Sequence, residues 1–511
     1  MKLQNIFWSA AVLLVCNFIS RLLGFAYRIV LVRLLGAEGI GITEMVSPIY
    51  SFALVAAGLG IPLAMSHLLA SELGQHHYHN LPRIQRCGMT LLLVLGATIS
   101  LLCFIFAPQL ISRFCSEPRG LAYLRIICPA IFLVTVCSGL RAYFQGTKQI
   151  YVIGLAQNLE QLVRVGAGAG LVILALPHGL QAAVAAVAAA TVLGELCGLL
   201  FILRQYRRQR TTPDRPPDIS RRRLLGHFFG FGMPVTLQRL LSSGILMLQA
   251  IIIPQTLQQI GFTAAEATSA YGSFSGVALS LIHLPGIFTA TLVMALLPSI
   301  AESGNDTMQL SRRINQSLHI TAVIALPFML LFHQYAEPLC RWLFKAPEAA
   351  PSLQILASAA FFIYMQTALD GILQGMGRVK SLLVVLGLSG LVYIGALRLC
   401  IPMFGVSGAA AAYLLFAVIG CLLAMLALRR GLSLHPEWHN ILLKPLLAAA
   451  VCLGIQKAAD TVMSAAGHSE IAIFCLATAI SGLAYMAALH LMHGLPTVFL
   501  RYLSPLRKLR K

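Results

Sequence analysis

Arginines lie inside segments of this chain that are apolar enough to cross a membrane. Arg21 and Arg28 are in the first such segment, and Arg239 is in the seventh. An arginine at membrane depth is costly unless it faces a partner or a water-filled cavity. Its guanidinium group suits phosphate, which it can hold through two parallel hydrogen bonds. One hypothesis is therefore that these three residues line a cavity and bind the phosphate of an anionic headgroup.

Helical geometry places the three arginines at related positions. Seven residues separate Arg21 from Arg28, which brings both to one helix face within roughly 20°. Arg21 lies about 21 Å along a helix that starts near Phe7, and Arg239 about 22 Å along one that starts near Leu224. The alternative is that each arginine is structural and pairs with a carboxylate or backbone carbonyls in its own half of the chain.

Acidic residues near membrane depth keep that alternative open. Glu160 and Arg164 are four residues apart on the fifth segment and can pair directly, or can form part of a hydrophilic cavity wall. Glu44, Glu195 and Asp370 could also neutralise an arginine. Asp370 precedes an inner loop, so an interfacial position is expected for it.

Composition requires helices that span a bilayer. The 511 residues are 58% hydrophobic and 11% charged, with mean hydropathy +0.82 and net charge +20. A soluble protein could not bury so much apolar surface. Runs of roughly 20 apolar residues predict about fourteen transmembrane helices and an all-α fold.

Basic residues predict the orientation. With the N-terminus inside, the inner connections hold 25 of the 37 Lys and Arg residues, Arg141 among them, and the outer ones hold 7. This bias predicts cytoplasmic N- and C-termini. It also explains the positive charge without a nucleic-acid partner.

An internal repeat predicts two halves. Arg21-Leu-Leu-Gly matches Arg239-Leu-Leu-Ser, and GLQAAVAAVAAA matches GVSGAAAAYLLF in the same order. Two pseudo-symmetric six-helix lobes with a substrate site between them would give this pattern. The predicted divisions are a lobe at 1–204, a basic cytoplasmic linker at 205–223, a second lobe at 224–430, and a helix pair with a basic tail at 431–511.

Motifs for catalysis are not found in the sequence. It has no Walker motif, no GxSxG, no HExxH and no Cys/His cluster at metal-ligand spacing. We therefore expect no enzymatic activity, no metal and no cofactor.

The opening segments carry a specific resemblance. R-x-x-G-F-x-Y-R is followed by R-x-L-G-x-E-G-I-G and G-L-G-I-P-x-A-x-S-x-L-x-A-S-E. This block resembles the stage V sporulation protein B group, in the polysaccharide-transporter branch of the multidrug/oligosaccharidyl-lipid/polysaccharide (MOP, MATE-like) superfamily. The branch is similar to the MurJ lipid II flippases. The resemblance implies two six-helix lobes, an extra C-terminal helix pair and alternating access.

The resemblance also implies cavity arginines on the first, second and eighth helices. Arg21 and Arg28 match the first-helix positions, whereas the second and eighth helices here carry no arginine. Arg239 on the seventh helix is expected to substitute.

The function that the resemblance implies is export of an undecaprenyl-linked peptidoglycan or polysaccharide precursor across a bacterial plasma membrane, in cell-wall or spore-cortex synthesis. A monovalent ion (Na⁺ or H⁺) or the membrane potential would drive it. Two alternatives are a MATE-type multidrug/cation antiporter and a non-transporting scaffold for a cell-wall synthesis complex.

Overall fold

The protein is helical throughout the part of the chain that can be described. The computed structural model describes residues 3–209, 216–286, 289, 307–430, 437–466 and 469–495, and no strand occurs among them. This confirms the all-α class. Helices follow from the apolar runs because a backbone inside a bilayer must satisfy its hydrogen bonds within its own segment.

α-Helices make up most of the described chain. In chain order they are α1 (Leu3–Gly58), α2 (Ile61–Gly74), α3 (Leu81–Ile105), α4 (Ala107–Phe114), α5 (Gly120–Gly146), α6 (Ile150–Ala175), α7 (Leu180–Gln209), α8 (Arg221–Gln259), α9 (Ala264–Tyr271), α10 (Thr307–Gln334), α11 (Ala336–Leu339), α12 (Ala350–Gly375), α13 (Val379–Phe404), α14 (Val406–Arg429), α15 (Lys444–Ala465) and α16 (Glu470–Leu491).

The first helix is two membrane segments joined at a kink. Gly36 has φ 67° and ψ 179°, a non-helical conformation inside the 56-residue α1. Positive φ favours glycine because a side chain would clash with the backbone. The chain therefore reverses at Gly36, and the residues on either side of it form a helical hairpin.

Twelve described helical spans are long and apolar enough to cross a membrane. The predicted count of fourteen is not confirmed. The span Val15–Gly74 is counted once although it has 60 residues and contains the Gly36 kink. The eighth predicted segment, centred near Leu281, continues beyond the described residues.

Two compact units divide the chain. The first comprises Met1–Val277, Leu343–Ala346 and Leu397–Val406, and the second comprises Ala278–Trp342, Pro347–Ala396 and Ser407–Lys511. In this division α8 belongs with the N-terminal helices. The predicted boundaries at 204, 224 and 430 remain a prediction, and residues 210–215 of the linker and the basic tail from Arg501 lie outside the described residues.

Close backbone contact holds α2 against α8 in the first unit. Gly60 adopts φ 64°, and a Cβ there would lie 2.4 Å from the Gly232 carbonyl oxygen. Only glycine allows this approach. Beside it, Ile61, Met65 and Phe228 belong to one buried apolar cluster.

The second unit has its own buried apolar clusters. One joins α10, α12 and α14 through residues such as Leu318, Leu369 and Leu428. Another joins α10, α15 and α16, where the Tyr485 hydroxyl donates to the Val323 carbonyl oxygen at 3.0 Å. The C-terminal helix pair is thus packed within this unit.

Candidate substrate-binding site

Arg28 is neutralised across the α1 hairpin. Its Nη2 lies 2.6 Å from Glu44 Oε1, and the Ser275 hydroxyl donates to Glu44 Oε2 at 2.9 Å. Arg28 and Glu44 each lie eight residues from Gly36, on opposite sides of the kink. The hairpin therefore brings them to the same height, where the Glu44 carboxylate neutralises Arg28 and also accepts a hydrogen bond from the Ser275 hydroxyl.

A four-residue ionic network joins α5, α6 and α7. Arg164 Nη2 lies 2.8 Å from Glu160 Oε1 and 2.6 Å from Glu195 Oε1. The second oxygen of Glu160 accepts from Arg141 Nη2 at 2.6 Å. Two guanidinium groups and two carboxylates alternate, so the network is neutral when all four groups are charged.

Glycines on α7 make room for this network. A Cβ at Gly194 would lie 2.9 Å from the Glu160 carbonyl oxygen. One at Gly198 would lie 3.3 Å from the Glu160 Oε2 atom. Small residues at helix contacts let backbones approach closely in membranes. Here they let α7 bring Glu195 up to α6.

Arg141 lies in a helix and not in a loop, which differs from the prediction made from the sequence. The residue was expected in an inner connection, but α5 continues to Gly146 and carries Arg141 within the helix. Its partner Glu160 is 19 residues away on the next helix, and only antiparallel packing brings the two together. No local spacing in the sequence signals this contact.

Arg21 is oriented by contacts of its neighbours with α6. The Ser20 hydroxyl donates to Asn158 Oδ1, and a Cβ at Gly24 would lie 3.4 Å from Gln161 Nε2. These residues mark the face of α1 that contacts α6. Arg21 is about 100° away from Ser20 around the helix. Its side chain is exposed, and among the described residues no ion pair or hydrogen bond involves it.

Arg239 resembles Arg21 in its environment and position. It is exposed on α8, and within the described ranges it too lacks an ion-pair or hydrogen-bond partner. Arg21 follows Leu3, the first residue of its helix, by 18 residues, and Arg239 follows Arg221 by 18 as well. At 1.5 Å per residue each lies about 27 Å along its helix. α1 and α8 pack together in the first unit.

The charges at membrane depth therefore fall into two classes. The Arg28 pair and the four-residue network are internally neutral, whereas Arg21 and Arg239 are cations without a described counter-charge. A cation of this kind in a membrane protein marks a position for an anionic ligand or for water. Arg21 and Arg239 are the residues of the predicted set that the structure leaves open to a ligand.

Asp370 was expected at the membrane interface. It lies on α12, five residues before the end of the helix at Gly375, and its Oδ1 atom is buried with no hydrogen-bond partner among the described residues. Burial of an unpartnered carboxylate oxygen is costly. The short distance of Asp370 from the loop predicted an interfacial position, and no pattern in the sequence indicates that this oxygen atom is buried.

Family models match most of the chain. The model described as "Polysaccharide biosynthesis protein" matches residues 5–303, and the MatE model matches residues 260–396. Among curated proteins of Bacillus subtilis, Stage V sporulation protein B is 27% identical over 435 residues, which is 83% of each chain. Lipid II flippase MurJ is 23% identical over 404 residues, which is 73% of each.

Solved structures share the fold. A Lipid II flippase MurJ in an inward closed conformation aligns with TM-score 0.73 and 13% identity, over 94% of this chain and 99% of the other. An inward-facing multidrug resistance MATE transporter of the MOP superfamily aligns with TM-score 0.62 and 17% identity, over 83% and 99%. At these identities the likeness is one of fold, and it is the fold that the opening motifs implied.

Proposed function

Because this chain belongs to the polysaccharide biosynthesis protein family, we propose that it is a flippase for an undecaprenyl-linked peptidoglycan or polysaccharide precursor. It would work by alternating access in a bacterial plasma membrane, with both termini in the cytoplasm. The similarity to Stage V sporulation protein B and to Lipid II flippase MurJ supports this cargo class. The glycan it carries and its role in cell-wall or spore-cortex synthesis belong to the proposal.

The observation that carries the proposal is the contrast among the membrane arginines. Arg28 and Arg164 form ion pairs with carboxylates. Arg21 and Arg239 have no described counter-charge. In this proposal the pyrophosphate of the lipid-linked cargo supplies that charge. Guanidinium groups bind phosphate through charge-assisted hydrogen bonds, which are the strong class. The prenyl tail would remain in the bilayer, so that only the polar headgroup needs a path through the protein.

The roles of the predicted residues divide accordingly. Arg21 and Arg239 would bind the headgroup, and Arg28 would be held by Glu44 as part of the hairpin. A structural role, holding α6 and α7 together in the first unit, would fall to Glu160, Arg164 and Glu195. No step of chemistry is required, because transport moves the precursor without changing its covalent structure. Either the membrane potential or a monovalent cation would supply the energy.

The test is flipping of a labelled undecaprenyl-linked glycan, such as lipid II, in liposomes that contain the purified protein. We expect Arg21→Ala to reduce flipping about tenfold or more, since the loss of hydrogen bonds to a charged group is worth about 1.5–3 kcal/mol. Arg125→Ala is the matched control, because Arg125 is an exposed arginine near the start of α5.

The flipping assay tests the headgroup assignment and the cargo class separately. If Arg21→Ala and Arg239→Ala reach the membrane at wild-type level and flip at wild-type rate, the headgroup assignment is wrong. If the wild-type protein flips none of the undecaprenyl-linked glycans offered, the cargo class is wrong.

A second candidate function, cation-coupled drug export, is favoured by Asp370. A buried carboxylate without a described partner is the kind of group that exchanges protons or sodium in an antiporter. Uptake of a cationic dye into vesicles discriminates between the two functions. The antiporter predicts uptake that Asp370→Asn abolishes, whereas the flippase predicts no dye uptake.

A further inference from the structure

A cavity of about 550 Å³ lies in the first unit, between the N-terminal parts of α3 and α8. Three arginines line it, together with a cysteine and two leucines: Arg83, Arg86, Arg221, Cys87, Leu91 and Leu225. None of the described residues that line it is acidic. It is formed from other residues than Arg21 and Arg239, and the proposed function does not use it.

The linker segment that closes the cavity is held by polar contacts. Arg83 Nη1 donates to the Pro217 carbonyl oxygen at 3.3 Å. The backbone N–H of Asp218 donates to Asn80 Oδ1 at 2.9 Å, and the exposed Asp218 carboxylate lies 2.7 Å from His79 Nε2. Asp218 thus has its own partner. Apart from the bond from Arg83 to Pro217, the three guanidinium groups of the cavity have no side-chain partner among the described residues and can bind another anion.

The lining residues change from cationic to apolar along both helices. On α3, Arg83 lies in the first turn and Leu91 about 12 Å further along, with Cys87 between them. On α8, Arg221 is the first residue and Leu225 follows one turn later. Both helices start on the predicted cytoplasmic side. The arginines therefore lie nearest the membrane surface and the leucines nearer its centre.

This gradient matches an amphiphile better than a free ion. A phosphate group between Arg83, Arg86 and Arg221 would have three cationic donors. An acyl chain attached to it would extend past Leu91 and Leu225 into the apolar region. Inorganic phosphate would use the arginines and leave the leucines without a partner.

From this arrangement we infer that the α3–α8 cavity binds the phosphate headgroup of an anionic membrane phospholipid. Basic residues beside a membrane attract anionic lipids, and each contributes a few-fold to binding at low salt. A bound lipid would join the linker segment, α3 and α8 at the membrane surface. The site is distinct from any site for transported cargo at Arg21 and Arg239.

Thiol labelling of the full-length protein tests the site directly. Cys87 is partly exposed and lines the cavity, whereas Cys475 is exposed on α16 and serves as the internal control. The purified protein is treated with N-ethylmaleimide, and labelling is read by peptide mass spectrometry. We expect phosphatidylglycerol to slow labelling of Cys87 severalfold and leave Cys475 unchanged. Phosphatidylcholine with the same acyl chains should protect neither cysteine.

Inorganic phosphate distinguishes the source of the anion. If saturating phosphate protects Cys87 as well as phosphatidylglycerol does, the cavity takes free phosphate and the lipid assignment is wrong. If neither protects Cys87, or if phosphatidylcholine protects it equally, the site does not recognise an anionic headgroup. These results leave flipping by Arg21 and Arg239 untouched, so the two proposals fail separately.

A charge-matched pair of variants completes the test. Arg83→Gln/Arg86→Gln/Arg221→Gln should weaken phosphatidylglycerol binding by on the order of a hundredfold at low salt, as measured by native mass spectrometry. The control Arg204→Gln/Arg207→Gln/Arg208→Gln removes the same charge from the end of α7, where the arginines line a smaller cavity of about 310 Å³. Equal losses in the two variants would mean general attraction between charges and would overturn the inference.

Discussion

Two groups of membrane arginines in the first unit differ in how their charge is met. Arg141 and Arg164 sit in a neutral network with Glu160 and Glu195. Arg21, on a neighbouring helix, has no described partner although Ser20 and Gly24 beside it are in contact with α6. Helix packing beside Arg21 therefore does not by itself neutralise the arginine, whose side chain is exposed. Among the described residues, acids lie beside Arg141 and Arg164 but not beside Arg21, which is the difference expected between a structural and a ligand-binding charge.

Breaking the network should have the largest effect on stability. Arg164→Leu removes one guanidinium and leaves Glu195 without its 2.6 Å partner. Loss of one member of a buried ionic set typically costs about 3–5 kcal/mol, and we expect about 3 kcal/mol here because Arg164 is partly exposed. Thermal unfolding in detergent measures the loss. Arg164→Leu/Glu195→Leu should recover most of it, and an equally unstable double variant would show that charge balance is not the cause.

The Arg28–Glu44 pair should matter less, because Glu44 keeps a second partner. In Arg28→Leu, Glu44 still accepts from Ser275 at 2.9 Å. We expect a loss of about 1–3 kcal/mol, the cost of an incompletely satisfied polar group. Combining Arg28→Leu with Glu44→Gln should restore stability. A loss as large as that of Arg164→Leu would contradict the ranking.

A charge cluster outside the membrane spans gives a third comparison. The bidentate hydrogen bonds from Arg119, at 2.7 and 2.8 Å, lower the pKa of the Glu117 carboxyl below 4.5, its ordinary value. Because the pKa is lower in the folded state, the stabilisation is present above pH 4.5 and is lost as pH falls through the folded-state value. It should amount to about 1 kcal/mol or less, since the Arg119 side chain is partly exposed to water.

The pH dependence is measured as the melting temperature of the wild type against Glu117→Gln. The wild type should be more stable at neutral pH, and the difference should shrink in acid. A difference that is constant with pH would show that the ionised carboxylate is not responsible.

The smallest effect on stability is expected at the unpaired arginines. Arg21→Ala and Arg239→Ala remove no described ion pair, so each should change the free energy of unfolding by no more than about 0.5 kcal/mol. Thermal unfolding of variants that no longer flip lipid would establish this. A large destabilisation at either position would place that arginine with the structural group and weaken its role in binding.

The sequence predicts the fold better than the charge pairing. Runs of apolar residues are long enough to identify helices in a bilayer, and the i,i+4 spacing identifies Glu160 and Arg164 as neighbours. The partners of Arg28 and Arg141 depend on how successive helices pack, which no local pattern encodes. Arg141 was predicted wrongly because the end of α5 lies five residues beyond it, at Gly146.

The site shows the same division. Sequence alone identifies arginines at membrane depth. It cannot distinguish Arg21 from Arg28, because the two lie seven residues apart on the same helix face. The distinction arises at Gly36, whose left-handed backbone brings Glu44 beside Arg28 and not beside Arg21. Asp370 is a similar case, since its burial depends on neighbouring helices.

The symmetry of Arg28 and Glu44 about Gly36 has a consequence for how the protein is made. During synthesis Arg28 leaves the ribosome sixteen residues before Glu44. The first segment therefore emerges before the ion-pair partner of Arg28 has been made. We expect the insertion machinery to release the two segments into the lipid together, as a hairpin in which Glu44 already neutralises Arg28. A nascent chain that carries Glu44→Leu should therefore show slower or incomplete integration of its first segment than the wild-type chain does.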